Sequence, residues 1–186
     1  MTHESLSTRQ QIINAAIRQI GDEGYHQISL RHLAGQVGMT TGAVYKNFGS
    51  KEELFRAVTV ILSNQLADEI AAQLDASIPP KQQLLVIADQ LMNKFQSDAF
   101  TMDFLFFNPV AQRLLSGTKS AHEFSFYNLV MGVINQLKGE FEQLDTERFF
   151  VQIWSFIQGY GLLIINHVAP YDRDLLSMTL TAFLKV

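Results

Sequence analysis

Apolar residues recur along the chain at spacings of three and four. Ile13, Ala16, Ile17 and Ile20 fall on one helical face, which predicts a first helix over Thr8–Glu23 stopped by Gly24. Leu30, Leu33, Ala34 and Val37 repeat that spacing behind Ser29, which can cap a helix start, and Gly38 can supply the left-handed turn that ends it. Thr40 can cap a short third helix reaching Phe48. Ser50-Lys51-Glu52-Glu53 has the form of a capping box. It opens a fourth helix over about 51–75 with Phe55, Val58, Leu62 and Leu66 on one face. Pro79 and Pro80 interrupt the pattern, and further helices are predicted over 81–97, 99–107, 109–116, 120–137, 146–168 and 171–184. No stretch alternates as a strand does. The pattern predicts an all-α fold of about nine helices: a small three-helix domain over 1–50 and a larger helical domain over 51–186, connected by the fourth helix.

Composition narrows the class. The chain of 186 residues is 47% hydrophobic but only 17% charged, so a sizeable apolar interface is expected. The absence of cysteine removes disulfides, thiolate zinc sites and cysteine nucleophiles, and suits a reducing cytoplasm. Residues 1–10 are polar, so no signal peptide is expected. The apolar stretch 156–165, carrying Gln158, Gly159 and Gly161, is too short to span a bilayer, and no membrane partner is expected. No G-x-S-x-G, P-loop or G-x-G-x-x-G is present. His3, His26, His32 and His167 lack a His or carboxylate four residues on, and the adjacent His122 and Glu123 do not face one site. Neither an enzyme, a metal nor a cofactor is expected.

The formal charge of −4 is unevenly spread. Residues 1–56 carry six Lys and Arg against five Asp and Glu, whereas 57–186 carry eight against thirteen. Only the first third escapes the acidic excess. There the short Gly38-Met39 turn would set helices two and three nearly perpendicular, the arrangement that lays a second helix in a DNA major groove. Leu33, Ala34, Val37, Met39 and Val44 would hold the pair to helix one, leaving Thr40, Thr41, Gly42, Tyr45, Lys46 and Asn47 outward. Hydroxyls and amides suit phosphate oxygens, and Lys46 can reach a guanine edge or a phosphate.

The run Leu30-Arg31-His32-Leu33-Ala34, followed by Val37-Gly38-Met39-Thr40-Thr41-Gly42-Ala43-Val44-Tyr45-Lys46-Asn47-Phe48-Gly49-Ser50-Lys51-Glu52-Glu53-Leu54, resembles the signature of the TetR family of bacterial transcriptional regulators. The resemblance covers about residues 8–65. It implies that Thr40, Thr41, Gly42 and Lys46 enter the groove and that Arg31 faces a base edge or phosphate. It also implies that Tyr45 bonds a phosphate and Lys51 pins the backbone. It further implies a homodimer joined by the last two helices, an inverted-repeat operator in double-stranded DNA, and release of a repressor by a small effector. His32 departs from any residue type expected there, and Gly35 costs helix stability without evident return.

Beyond residue 90, aromatic and methionine side chains crowd together. Through the resemblance, Phe95, Met102, Phe104, Phe107, Phe126, Tyr127, Met131, Trp154 and Gln158 are expected around an effector pocket. Ordinary core is the alternative for such a cluster. No charge cluster accompanies these residues, so the effector is expected to be apolar, with Gln158, Asn166, His122 or Asp103 meeting a single polar group. The segment 146–168 is apolar nearly all round, and Gly159 and Gly161 would let a second helix approach closely. The same pattern also fits a regulator answering to a protein partner, or to no ligand. Repression or activation would depend on operator position.

Overall fold

The computed structural model describes residues 7–110, 113 and 125–184. These contain nine α-helices and no strand: α1 (Thr8–Glu23), α2 (Leu30–Gln36), α3 (Thr41–Asn47), α4 (Lys51–Ala71), α5 (Pro80–Ser97), α6 (Ala99–Phe107), α7 (Ser125–Gln136), α8 (Thr146–Ile165) and α9 (Arg173–Phe183). Most of the helix expected over 109–116, the start of that expected over 120–137, and His122 lie outside the described residues. The chain divides into two compact units. One takes the described residues of 1–62 and 100–117, the other those of 63–99 and 118–186. Helix α4 therefore begins in the first unit and ends in the second.

Local chemistry sets the helix ends. Ser7, Ser29 and Thr40 each accept a backbone N–H in the first turn of the helix that follows. Gly24 has φ +82 and Gly38 φ +66, conformations that carry little cost only without a Cβ. At Gly38 the turn is a Schellman motif: Gly38 N–H donates to the Gly35 carbonyl at 3.2 Å and Met39 N–H to Ala34 at 2.8 Å. Ser50 accepts the Glu53 N–H at 3.1 Å. The Glu53 carboxylate reaches back to the Gly49 N–H at 2.9 Å, one residue before the position an ordinary capping box would use.

In the first unit Ile12, Ile13, Ala16 and Ile20 of α1 are buried with Leu33, Ala34, Val44, Phe48 and Leu54. Val37 and Met39, expected to join them, are only half-buried. Tyr25, Phe55 and Phe104 meet edge to face, with centroids 5.1–6.0 Å apart. In the second unit α5 packs against α7, α8 and α9. Gly161 of α8 faces the fully buried Phe95: a Cβ there would stand 2.6 Å from the ring. The α8–α9 turn is tied back by Tyr160, whose hydroxyl donates to the Pro170 carbonyl at 2.8 Å and accepts the Asp172 N–H at 2.6 Å. Tyr171 donates to Asp89 of α5, which also pairs with Arg173 at 3.2 Å. Burial and the Asp89 carboxylate raise the Tyr171 phenol above its ordinary range. Helix α8 ends three residues before its expected limit because His167 takes φ +55.

Candidate nucleic-acid interface and apolar cleft

Helix α3 is short and rests on the first unit through Val44, its one buried residue, and through Phe48 just beyond its end. The opposite face carries Thr40, Gly42, Tyr45 and Lys46, all exposed, with Tyr45 at 52%. Thr41 is half-buried. Thr40 spends one lone pair on its cap, at 3.2 Å from the Ala43 nitrogen, and keeps its hydroxyl proton for another acceptor. A Cβ at Gly42 would meet nothing closer than Thr40 Oγ1 at 3.9 Å, so intramolecular packing does not demand glycine there.

Two further expected contact residues are, like Thr41, partly withdrawn. Asn47 is half-buried and its amide donates to the Ala43 carbonyl at 2.8 Å, so its side chain lies along its own helix. Lys51 is half-buried, with its ammonium 5.0 Å from the centre of the Phe55 ring, and the loss of water lowers its pKa. On α2, Arg31 is exposed beside His32, Gly35 and Gln36 along a shallow depression. His32 Nε2 lies 3.0 Å from Gln36 Nε2, and nothing among the described residues explains the glycine at 35.

The second unit holds an apolar cleft among α5, α7, α8 and α9, lined by Leu84, Ile87, Phe126, Phe150, Trp154, Phe156, Leu176, Leu180 and Phe183, among others. Thr179 is its one hydroxyl-bearing lining residue among the described residues. Its cavity volume is about 40 Å³, room for a few waters. Of the residues expected around an effector, Phe126 and Trp154 line it. Tyr127 sits beside it, its ring 5.1 Å from Phe150, while Met131 and Gln158 are half-buried. Phe95 is fully buried against Gly161. Met102, Phe104 and Phe107 belong to α6 in the first unit, where Phe104 is core. Asp103 is there too, its carboxyl pushed up by burial, and Asn166 is exposed and bonded to the Leu162 carbonyl. Sequence reasoning missed the contribution of α9. The available signal was the spacing Leu176, Leu180, Phe183, one face of a helix.

Across α8 and α9 from this cleft the surface is apolar. Val151, Leu162 and Leu163 are 59%, 45% and 42% exposed, and Leu175 and Met178 are 43% and 70% exposed. Ser155 and Gly159 continue the α8 stripe with small side chains. Among the described residues α8, 20 residues long and with a mean hydropathy of 1.3, is long and apolar enough to cross a membrane by length and composition, as the core helix of a globular protein also is.

An exposed polar helix presented by a two-helix support makes the first unit a helix-turn-helix module. Residues 12–58 match the family model described as bacterial regulatory proteins, tetR family. The chain belongs to the tetR family. It is 34% identical over 95 residues to the nicotine-responsive transcriptional repressor HdnoR of Paenarthrobacter nicotinovorans, covering 51% of this chain and 47% of that one. It is 30% identical over 141 residues to the Probable acrEF/envCD operon repressor of Escherichia coli (strain K12), covering 73% and 58%. The chain spans about half the length of the curated relatives it matches. The fold of FadR from Bacillus subtilis, solved with stearoyl-CoA, superposes with a TM-score of 0.69 at 20% identity, covering 95% and 97% of the two chains.

Proposed function

We propose that the chain is a ligand-responsive transcriptional regulator, a repressor that leaves an inverted-repeat operator when a small apolar effector binds. Residues 1–50 form its DNA-reading part and 51–186 its effector and dimerisation part. The observation that carries this reading is the exposed face of α3, with Thr40, Gly42, Tyr45 and Lys46 outward on a buried Val44 and Phe48. A glycine that the chain's own packing does not require suits close approach of an external backbone. Arg31 adds a second cation from α2, and Lys51 supports the phosphate beside the start of α4.

The apolar faces of α8 and α9 suit a second copy of the chain, which would place two reading heads on one molecule. The effector site is the cleft beneath those same helices. Because the cleft is lined by apolar side chains with one hydroxyl, the effector is an uncharged apolar molecule. A drug-sized guest occupies roughly 300 Å³ or more, so it must spread α5, α8 and α9 to enter. Spreading them shifts the helices that join the subunits. Each tenfold release of DNA takes about 1.4 kcal/mol of effector preference for the spread form.

Gel-shift titration of the DNA flanking its own gene tests the central claim. Tyr45→Ala and Lys46→Ala are each expected to weaken binding about tenfold or more while the protein stays folded, since each removes a contact worth ~1–3 kcal/mol. If neither weakens binding, α3 is not the reading helix. The small volume of the cleft favours a second reading, a regulator answering to a protein partner. A thermal-shift screen of apolar compounds separates the two: an effector must raise the melting temperature and release DNA.

A further inference from the structure

Arg9 lies at the start of α1, outside the residues assigned above to DNA. Its guanidinium nevertheless gathers the far end of α3. Nη1 donates to the Asn47 carbonyl at 2.6 Å and stands 3.5 Å from the Glu53 carboxylate, and the group is centred 4.1 Å over the Phe48 ring. Glu53 in turn holds the Gly49 N–H. One side chain thus joins the last residue of α3, the loop behind it and the first turn of α4.

We infer that Arg9 is a positioning residue for DNA recognition, setting the roll and tilt of α3 without touching DNA; the inference rests on the DNA-binding reading above. A helix of seven residues is not stable alone, and a single buried side chain fixes its height above the core but leaves it free to roll about that point. Its first turn is tied by the Thr40 cap. Its last carbonyls have no partner within the helix, and Arg9 supplies one to Asn47 along with a cation at the negative end of the helix dipole. The planar group stacks on Phe48 at the same time, which an ammonium cannot reproduce.

Arg9 is also poorly placed to serve as a phosphate contact. Its charge is offset by Glu53 and its Nη1 is committed, whereas Arg31 and Lys46 have no side-chain hydrogen bond or ion pair among the described residues. At 46% and 49% exposure, the Arg9–Glu53 pair adds little to stability. Its loss should loosen α3 without unfolding the unit.

Counterion release separates positioning from contact, because each phosphate neutralised adds about 0.9 to the slope of log affinity against log salt. Wild type, Arg9→Ala, Arg9→Lys and Lys46→Ala are titrated across a salt series. The probes are a duplex that wild type enriches from a randomised pool and a scrambled duplex of equal length. Arg9→Ala is expected to weaken the enriched duplex about tenfold, leave the scrambled one within about twofold and keep the salt slope. Arg9→Lys is expected to recover only part of the loss. Lys46→Ala is expected to weaken both duplexes and lower the slope by about 0.9. A slope that falls with Arg9→Ala, or equal loss on both duplexes, makes Arg9 a phosphate contact and overturns the inference, as does unchanged binding.

If Arg9→Ala melts at a markedly lower temperature, Glu53→Gln gives the decision. It removes the charge pair while leaving the Asn47 bond, and should narrow the ratio of enriched to scrambled binding at constant slope; an unchanged ratio overturns the inference. A wild type that enriches no duplex overturns the DNA-binding reading as well, whereas a wild type that binds while the variants match it overturns this inference alone.

Discussion

Leu163→Asp combined with Met178→Asp is expected to leave the protein monomeric and to weaken binding to its operator by about 10²–10⁴-fold, the loss that follows when two linked sites become one. Both side chains are exposed, at 42% and 70%, so the monomer has no folding reason to resist the change. Each carboxylate would be desolvated against apolar partners on a second copy, at a cost far above the gain of any single contact. Stable interfaces bury about 1,200–2,000 Å² in total, within reach of two adjoining helices that carry Val151, Leu162, Leu163, Leu175 and Met178. Sedimentation or light scattering gives the mass, and gel shift gives the affinity. A double variant that remains dimeric places the subunit contact elsewhere. One that is monomeric yet binds DNA undiminished removes the need for paired heads.

Gly161→Ala should cost about 1–3 kcal/mol of stability, the usual price of overpacking, even though alanine is the better helix former by about 1 kcal/mol. The new methyl would lie 2.6–2.9 Å from three atoms of the Phe95 ring, and that ring has no exposed side toward which to move. Gly159→Ala two positions earlier is the control, for a Cβ there meets nothing within 4 Å. In the monomeric double variant, where subunit contact cannot interfere, Gly159→Ala is expected to stabilise slightly and Gly161→Ala to destabilise. Urea unfolding measures both. Equal effects at the two positions would mean that α5 and α8 are less closely packed than the Phe95–Gly161 contact requires.

The two glycines illustrate how far the chain alone could be followed. Sequence periodicity treats them alike, as two small residues in an apolar helix, and assigns both to a partner helix. The fold turns Gly161 inward to Phe95 and leaves Gly159 on the outer stripe. The aromatic cluster behaves the same way. Density along the chain grouped Met102, Phe104 and Phe107 with Phe126, yet α6 packs in the first unit beside Tyr25 and Phe55. The cleft in the second unit draws on α5, α7, α8 and α9 and on no part of α6 among the described residues.

Helix positions and their ends were legible because their causes act over four residues or fewer. Ser29 and Thr40 cap by reaching their own first turn, Gly38 turns by its own φ, and a helical face repeats every three or four positions. The outward positions of Tyr45 and Lys46 on α3 followed from the same period once Val44 was taken as inward. Other features depend on residues far apart in the chain. Arg9 meets the Asn47 carbonyl 38 positions away, and Tyr171 meets Asp89 across 82. No local propensity encodes those distances, because they arise only when whole helices choose their packing partners, and the amphipathic pattern states that a face is buried without naming what buries it.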